Sequence, residues 1–236
     1  MCLLMSSWLR LMVCHSTFWS NMFWWFREAR NYPQDIDSLA EAIGEPDLAH
    51  MALVCIADQI GMSPDRIPPI KTKVSVFHSA VVTFFSPGDP SRIHSMQCEC
   101  IWSTPSWRGC KKQCNCVFVV EDDMKPGIAG MNIIRVMLFF LFEYSSVLYP
   151  CTLVEWFTKV GWDPVTGLWV VRPDATHGKW DRTVLHLDSF LRGAHLIPVY
   201  GSQKMLLDFH YSYSLDAFEM YYINMYIDHH TNEMVF

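Results

Sequence analysis

Nine cysteines stand in the 236-residue chain, and five of them crowd between positions 98 and 116: Cys98, Cys100, Cys110, Cys114 and Cys116. Thiolates gathered at this density are what a tetrahedral zinc ion takes as ligands. Lys111 and Lys112 lie among them, where positive charge favours the thiolate over the thiol. Two features pull the other way. A C-x-C pair on a strand points both side chains to one face, whereas paired zinc knuckles use C-x2-C. Cys116 also opens the run Cys116–Val119 and fits a core position, since free cysteine behaves as a small buried hydrophobe. The cluster therefore reads as a plain set of thiols with no cofactor or, alternatively, as a zinc site.

The same stretch is basic. Arg92, Arg108, Lys111 and Lys112 face only Glu99 there, and Trp102 and Trp107 are interleaved with them. That mixture can touch nucleic acid through phosphate contacts and base stacking, although an excess of three on a loop is more often the composition of a solvated surface. The rest of the chain is acidic. Residues 1–70 carry four Lys/Arg against eight Asp/Glu, residues 71–149 carry eight against six, and residues 150–236 carry six against ten. A net charge of −6 argues against a free-standing, non-specific nucleic-acid binder.

Other arrangements that could do chemistry dissolve on inspection. Asp228-His229-His230 looks like a ligand triplet, but adjacent residues of a strand diverge to opposite faces. Glu121-Asp122-Asp123 precedes Pro126 and Gly127 and reads as a solvated loop. The sequence has no nucleophile elbow, phosphate-binding loop or dinucleotide fingerprint. Cys151 with His186 or His195 makes a dyad only on paper, because nine Cys and ten His supply such pairs by chance. No catalytic residue and no small-molecule substrate are expected.

The elements that would position these residues change character along the chain. Residues 1–26 are apolar and rich in Trp and Met. Arg10 interrupts the stretch and no small-residue cleavage site follows, so neither a signal peptide nor a membrane anchor is expected. The odd, clustered cysteines point to an intracellular chain with reduced thiols, and a chromatin contact would place it in the nucleus.

Residues 27–70 read as a helical extension. Asp35 caps a helix through Ala42 that Gly44 ends, a second helix runs from Pro46-Asp47 to Gly61, and 62–70 forms a Pro-rich linker. From residue 71 the apolar period becomes that of strands. Candidate strands are 74–85 (one long strand or two broken near His78–Ser79), 97–102, 116–121, 131–143, 147–157, 167–172, 184–188 and 194–200. Pro87 to Pro90 makes a turn, 214–220 a short helix capped by Ser214, and Tyr221–Asp228 a closing strand. The expected fold is mainly β (α+β overall): a small bent-sheet or barrel domain over 71–236 with an N-terminal helical extension.

Seven stretches in this half follow a familiar order: VFHSAVVTFFSPGDPS (76–91), STPSWRG (103–109), IRVMLFF (134–140), YPCTLVEWF (149–157), TGLWVV (166–171), VLHLDSFLRGAHLIPVYG (184–201) and SLDAFEMYYINMYIDHH (214–230). Together they resemble the C-terminal region of long proteins encoded by basidiomycete fungal transposons of the Plavaka (CACTA-like) kind. The resemblance covers roughly two thirds of the chain. It places the transposase catalytic core upstream of this region, so it implies no transposase activity here.

Read physically, Trp156, Phe157, Trp169, His195, Leu196, Tyr200, Tyr222 and Ile223 sit where a barrel core or its rim needs bulk and are expected to pack there, with His186 and His195 hydrogen-bonded in the core or at its rim. The architecture is similar, by analogy only, to BAH-type chromatin modules. The family does not require the cysteines at 98, 100, 110 and 114, and residues 1–26 have no counterpart in it, as a truncated or relic copy with a new start would show. The expected role is a non-catalytic, transposon-derived interaction domain contacting a protein partner or chromatin. The alternatives are a zinc-stabilised nucleic-acid module and the remnant of a metal-dependent transposase or nuclease.

Overall fold

A computed structural model describes residues 24–25, 28–86, 88, 95–106, 111–176, 178–201 and 209–235. After a two-residue strand β1 (Trp24–Trp25) come helices α1 (Ile36–Ile43) and α2 (Leu48–Ile60). Strands β2 (Val74–Phe77), β3 (Ser79–Phe85), β4 (Met96–Thr104), β5 (Gln113–Cys114) and β6 (Cys116–Val120) follow. A long hairpin, β7 (Met131–Tyr144) and β8 (Val147–Asp163), leads to β9 (Leu168–Pro173) and the small hairpin β10 (Ala175–Thr176) and β11 (Lys179–Trp180). The chain ends with β12 (Arg182–His186), β13 (Phe190–Ala194), β14 (Leu196–Pro198), α3 (Ser214–Ala217), β15 (Tyr221–Ile223) and α4 (His229–Val235).

The helices start and stop where their residues dictate. The Asp35 carboxylate accepts from the Ser38 amide at 2.8 Å, and Gly44 and Gly61 end α1 and α2 in left-handed conformations with φ of 71° and 65°. Residues 62–70 are more than a linker. A 3-10 turn at Pro64–Arg66 presents Ile67, and both Ile67 and Ile70 are buried with the helices.

The β7–β8 hairpin organises everything else, because both of its outer edges are shared. The edge of β7 pairs with β6 through Met131–Arg135 and then with β2 through Phe139–Phe142. The edge of β8 pairs with β12 through Cys151–Glu155 and then with β9 through Phe157–Asp163. The change of partner on β7 coincides with a bulge between Val136 and Leu138, where an extra residue increases the local twist and lets the sheet split. One branch runs β13-β6-β7-β8-β9-β15-β14. Its two edge strands, β13 and β14, are separated in sequence only by His195, so the sheet curls into a nearly closed barrel. The fold is mainly β, as the strand pattern predicts.

Three apolar layers result. Phe118, Ile133, Phe157, Val171, Tyr221 and Ile223 fill the barrel. Val82 and Ile101 of the separate β1-β3-β4-β5 sheet pack on the barrel's outer face against Val117, Phe139, Val154 and Phe190. Leu39, Leu48 and Ile56 of the helices cover Val74, Phe140 and Leu153. Strand β6 is buried on both faces, with Phe118 inward and Val117 and Val119 outward, which is why it reads as an unbroken apolar run.

The C-terminal expectations need two corrections. Ser214 is the first residue of α3, not its cap, which is Tyr213. The closing strand stops at Ile223, and Asp228 instead caps α4 through Thr231. No helix among the described residues is long and apolar enough to cross a membrane.

Candidate functional site

The register of β3, β4 and β5 decides how the cysteines sit. Cys98 and Cys100 lie opposite Thr83 and Val81, on one face of β4. Cys114 lies opposite Ser103, an odd number of residues further along β4, and therefore on the other face. Cys116 continues inward to the barrel wall opposite Arg135. The described thiols thus form two pairs facing different ways, and Cys110 lies outside the described residues. Among the described residues no three His, Cys, Asp or Glu side chains converge as a metal-ligand set. Burial pushes the Cys100 thiol up to about 11 and the Cys116 thiol up to about 12, so both are protonated at neutral pH as they stand.

Of the basic and aromatic set, Arg92, Trp107 and Arg108 lie outside the described residues, as does most of the Pro87–Pro90 turn. Trp102 is half-buried, and its amide donates to the Asn115 side chain at 2.6 Å. Lys111 donates to the Tyr213 hydroxyl and sits 3.8 Å from the centre of that ring. Lys112 pairs with Asp216 at 3.3 Å. Both lysines are therefore engaged with the C-terminal part of the chain itself. Among the residues expected to pack in the core or at its rim, Phe157 and Ile223 are in the barrel core, and the Trp156 indole donates to Thr183 at 2.7 Å. His186 is buried against Asp188, and His195 bonds Asn224 at the closure point. Tyr200 departs from expectation: it is largely exposed and meets the chain edge-on at Phe218.

Two centres lie outside every sequence motif, each built on a buried arginine. Arg135 on β7 and Glu155 on β8 are directly opposite one another, each only 2% exposed. Arg135 makes a two-pronged contact with Asp216 of α3 at 2.5 and 3.2 Å and lies 3.5 Å from Glu155. Glu155 in turn accepts from Nε and Nη2 of Arg182, and Arg182 Nη1 reaches the buried Glu45 between the two N-terminal helices. The result is an alternating chain of charges, Glu45-Arg182-Glu155-Arg135-Asp216-Lys112, running from the helices across the sheet to the C-terminal segment. Burial works against the charged forms of Arg135 and Asp216. Their mutual hydrogen bonds outweigh it, raising the arginine and holding the Asp216 carboxyl below 3.8.

The second centre is Arg192 on β13, 4% exposed at its side chain. Its Nη1 and Nη2 donate to both oxygens of Asp228 at 2.9 and 2.7 Å, its guanidinium lies 4.7 Å over the Phe84 ring, and Nη1 is 3.2 Å from Nδ1 of His230. Glu99 completes it by accepting from the Gly193 amide at 2.8 Å. These residues, with Cys98 and His229, line a cleft of about 310 Å³ between α4 and the β3–β4 sheet. The signal for both centres is in the sequence: a lone charge inside an apolar strand, as in IIRVM, LVEWF and FLRGA. Such a residue folds only if paired.

The exposed surface has its own feature. The β8–β9 hairpin runs past the barrel, and Val160, Trp162 and Val165 on it are exposed, the last two at 42% and 91%. Trp162 meets Trp169 edge-on at 6.0 Å across the hairpin, and the Tyr222 hydroxyl donates to Asp163 at 3.0 Å, bracing the hairpin on β15. No family model, curated protein or solved structure matches the chain.

Proposed function

We propose that this chain is a non-catalytic interaction domain of the fungal-transposon kind, which docks a protein partner, chromatin proteins among them, through the β8–β9 hairpin. The observation that carries the reading is the braced hairpin with Val160, Trp162 and Val165 outward, on a barrel whose interior is filled by its own aromatic side chains. A rigid, half-exposed tryptophan beside aliphatic neighbours is the kind of anchor around which protein interfaces concentrate their affinity. A protein is favoured over nucleic acid because Lys111 and Lys112 are already engaged by Tyr213 and Asp216, and the chain is acidic overall.

The test is photo-crosslinking from position 165, followed by affinity measurement with the crosslinked protein and, separately, with nucleosome core particles. Trp162→Ser should weaken the protein complex by roughly thirtyfold, the worth of one aromatic hot spot. Binding untouched by Trp162→Ser but abolished by Lys111→Ala with Lys112→Ala would replace this reading with nucleic-acid binding.

A further inference from the structure

Helix α4 is seven residues long, too short to persist by itself, so its place on the protein depends on what holds it. It lies against the turn Gly127–Gly130, and its Val235 and Met234 pack on the barrel core beside Ile128 and Met131. At its start, Asp228 accepts from the amide and hydroxyl of Thr231 at 2.7 and 2.9 Å while gripping Arg192 with both oxygens. His230 adds a second hold. Its ring stacks on Phe84 at 5.0 Å with the planes 13° apart, and its Nδ1 is 3.2 Å from Arg192 Nη1. A guanidinium has only donors, so Nδ1 must be the accepting lone pair and the imidazole must be neutral, with its proton on Nε2. The docked helix therefore recognises one protonation state of His230.

We propose that α4 is a proton-released latch: neutral His230 holds it by accepting from Arg192, and protonation at Nδ1 removes that acceptor, sets imidazolium against guanidinium, and frees the helix from the barrel end. Arg192 faces His230 from β13 and Glu99 from β4, while Asp228 and Glu233 face it from its own segment. His229, which lines the same cleft, pairs with Glu233 at 3.2 Å beside Gly88.

Burial, and after it Arg192, lower the pKa of His230 from 6.5, and the three carboxylates oppose them without winning. A group held below its unfolded value favours the neutral form. The docking free energy is thus complete above pH 6.5 and is lost as the pH falls through that value toward the folded pKa. Asp228 does not confuse this window. Burial pushes its carboxyl up, but its bonds to Arg192 and Thr231 prevail and hold it at about 2. Undocking would bare the barrel-core side chains beneath Met234 and Val235, giving the domain a second, acid-exposed apolar surface.

Hydrogen exchange of the full chain, corrected for intrinsic rates and read on residues 229–235, tests this between pH 7.5 and 5. Protection in the wild type should fall roughly fivefold, the worth of one net hydrogen bond. His230→Phe, which keeps a ring on Phe84 and cannot titrate, should show no such fall. Wild-type protection that stays level, or a His230→Phe variant that falls in the same way, overturns the latch. Should that variant fail to fold, the imidazole proton resonance of His230 in the wild type decides the matter. A midpoint below 6.5 supports the proposal and one at or above 6.5 defeats it. His78, also lowered by burial, stands between β2 and β3 and is read separately by its own peptides.

Discussion

Arg135 and Arg192 are the same solution used twice, with different permanence. Each is a buried arginine on a barrel strand, and each holds a C-terminal element by gripping an aspartate with both prongs, Asp216 of α3 and Asp228 of α4. Arg135 has another buried ion beside it, Glu155, itself clamped by Arg182, so every charge in that chain depends on its neighbours. Arg192 has partners at the surface, with Asp228 and Glu99 at 43% and 35% exposure, and a histidine where the other centre has a carboxylate. Removing the arginine strands a buried carboxylate, Glu155, in the first case and partly solvated ones in the second. The first centre fixes the fold, and the second can be given up locally.

The sharpest way to break this comparison is to remove each guanidinium in turn. Arg135→Met should cost about 3–5 kcal/mol in denaturant unfolding, because Glu155 is left buried without its partner on β7. Arg192→Met should cost less, about 1.5–3 kcal/mol, the range for hydrogen bonds to charged groups. Equal losses would mean that burial of the partners does not distinguish the two sites.

A smaller effect separates cap from ion pair at Asp228. Serine at this position can still cap α4, so Asp228→Ala should be less stable than Asp228→Ser by about 1 kcal/mol in the same assay. The smallest change is expected at the rim of the Arg135 centre. Lys112→Ala removes an exposed pair with Asp216 and should shift stability by no more than about 1 kcal/mol, shrinking further in high salt.

Acid should also take the centres apart in order. Asp216 is depressed below 3.8, so its contribution is complete above that value and is lost only as the pH falls beneath it. Global stability of the His230→Phe variant should therefore lose between pH 7 and 5 only the share that His78, also lowered by burial, contributes, and weaken again below about pH 4, where ordinary carboxylates begin to protonate.

Local features of this fold were legible because local chemistry sets them. Asp35, Gly44 and Gly61 bound their helices as their residue types require, and the β-branched and aromatic runs became β6, β7 and β8. What was not legible depends on distant partners. Strand β8 continues past Phe157 to Asp163 because β9 pairs with it there, around an irregularity between Lys159 and Gly161 that periodicity alone would read as a strand end. Ile67 and Ile70 sit in a Pro-rich stretch, yet are buried under the helices. The cysteine cluster looked like one unit because its members are close in sequence, but the register through Ser103 divides it. The arginine centres belong to no motif, because each is a single charge in an apolar strand whose partners are distant in sequence.

The closure of the barrel bears on how the chain is made. Its two edges, β13 and β14, are consecutive, but β14 has nothing to pair with until Tyr221–Ile223 arrives as β15. A ribosome that has delivered β6 to β13 has therefore built a curved sheet with β9 still unpaired along one side, ready to join any other strand that passes. Tyr221–Ile223 finish the ring, so the window in which a nascent copy can pair with its neighbours stays open until those three residues are made.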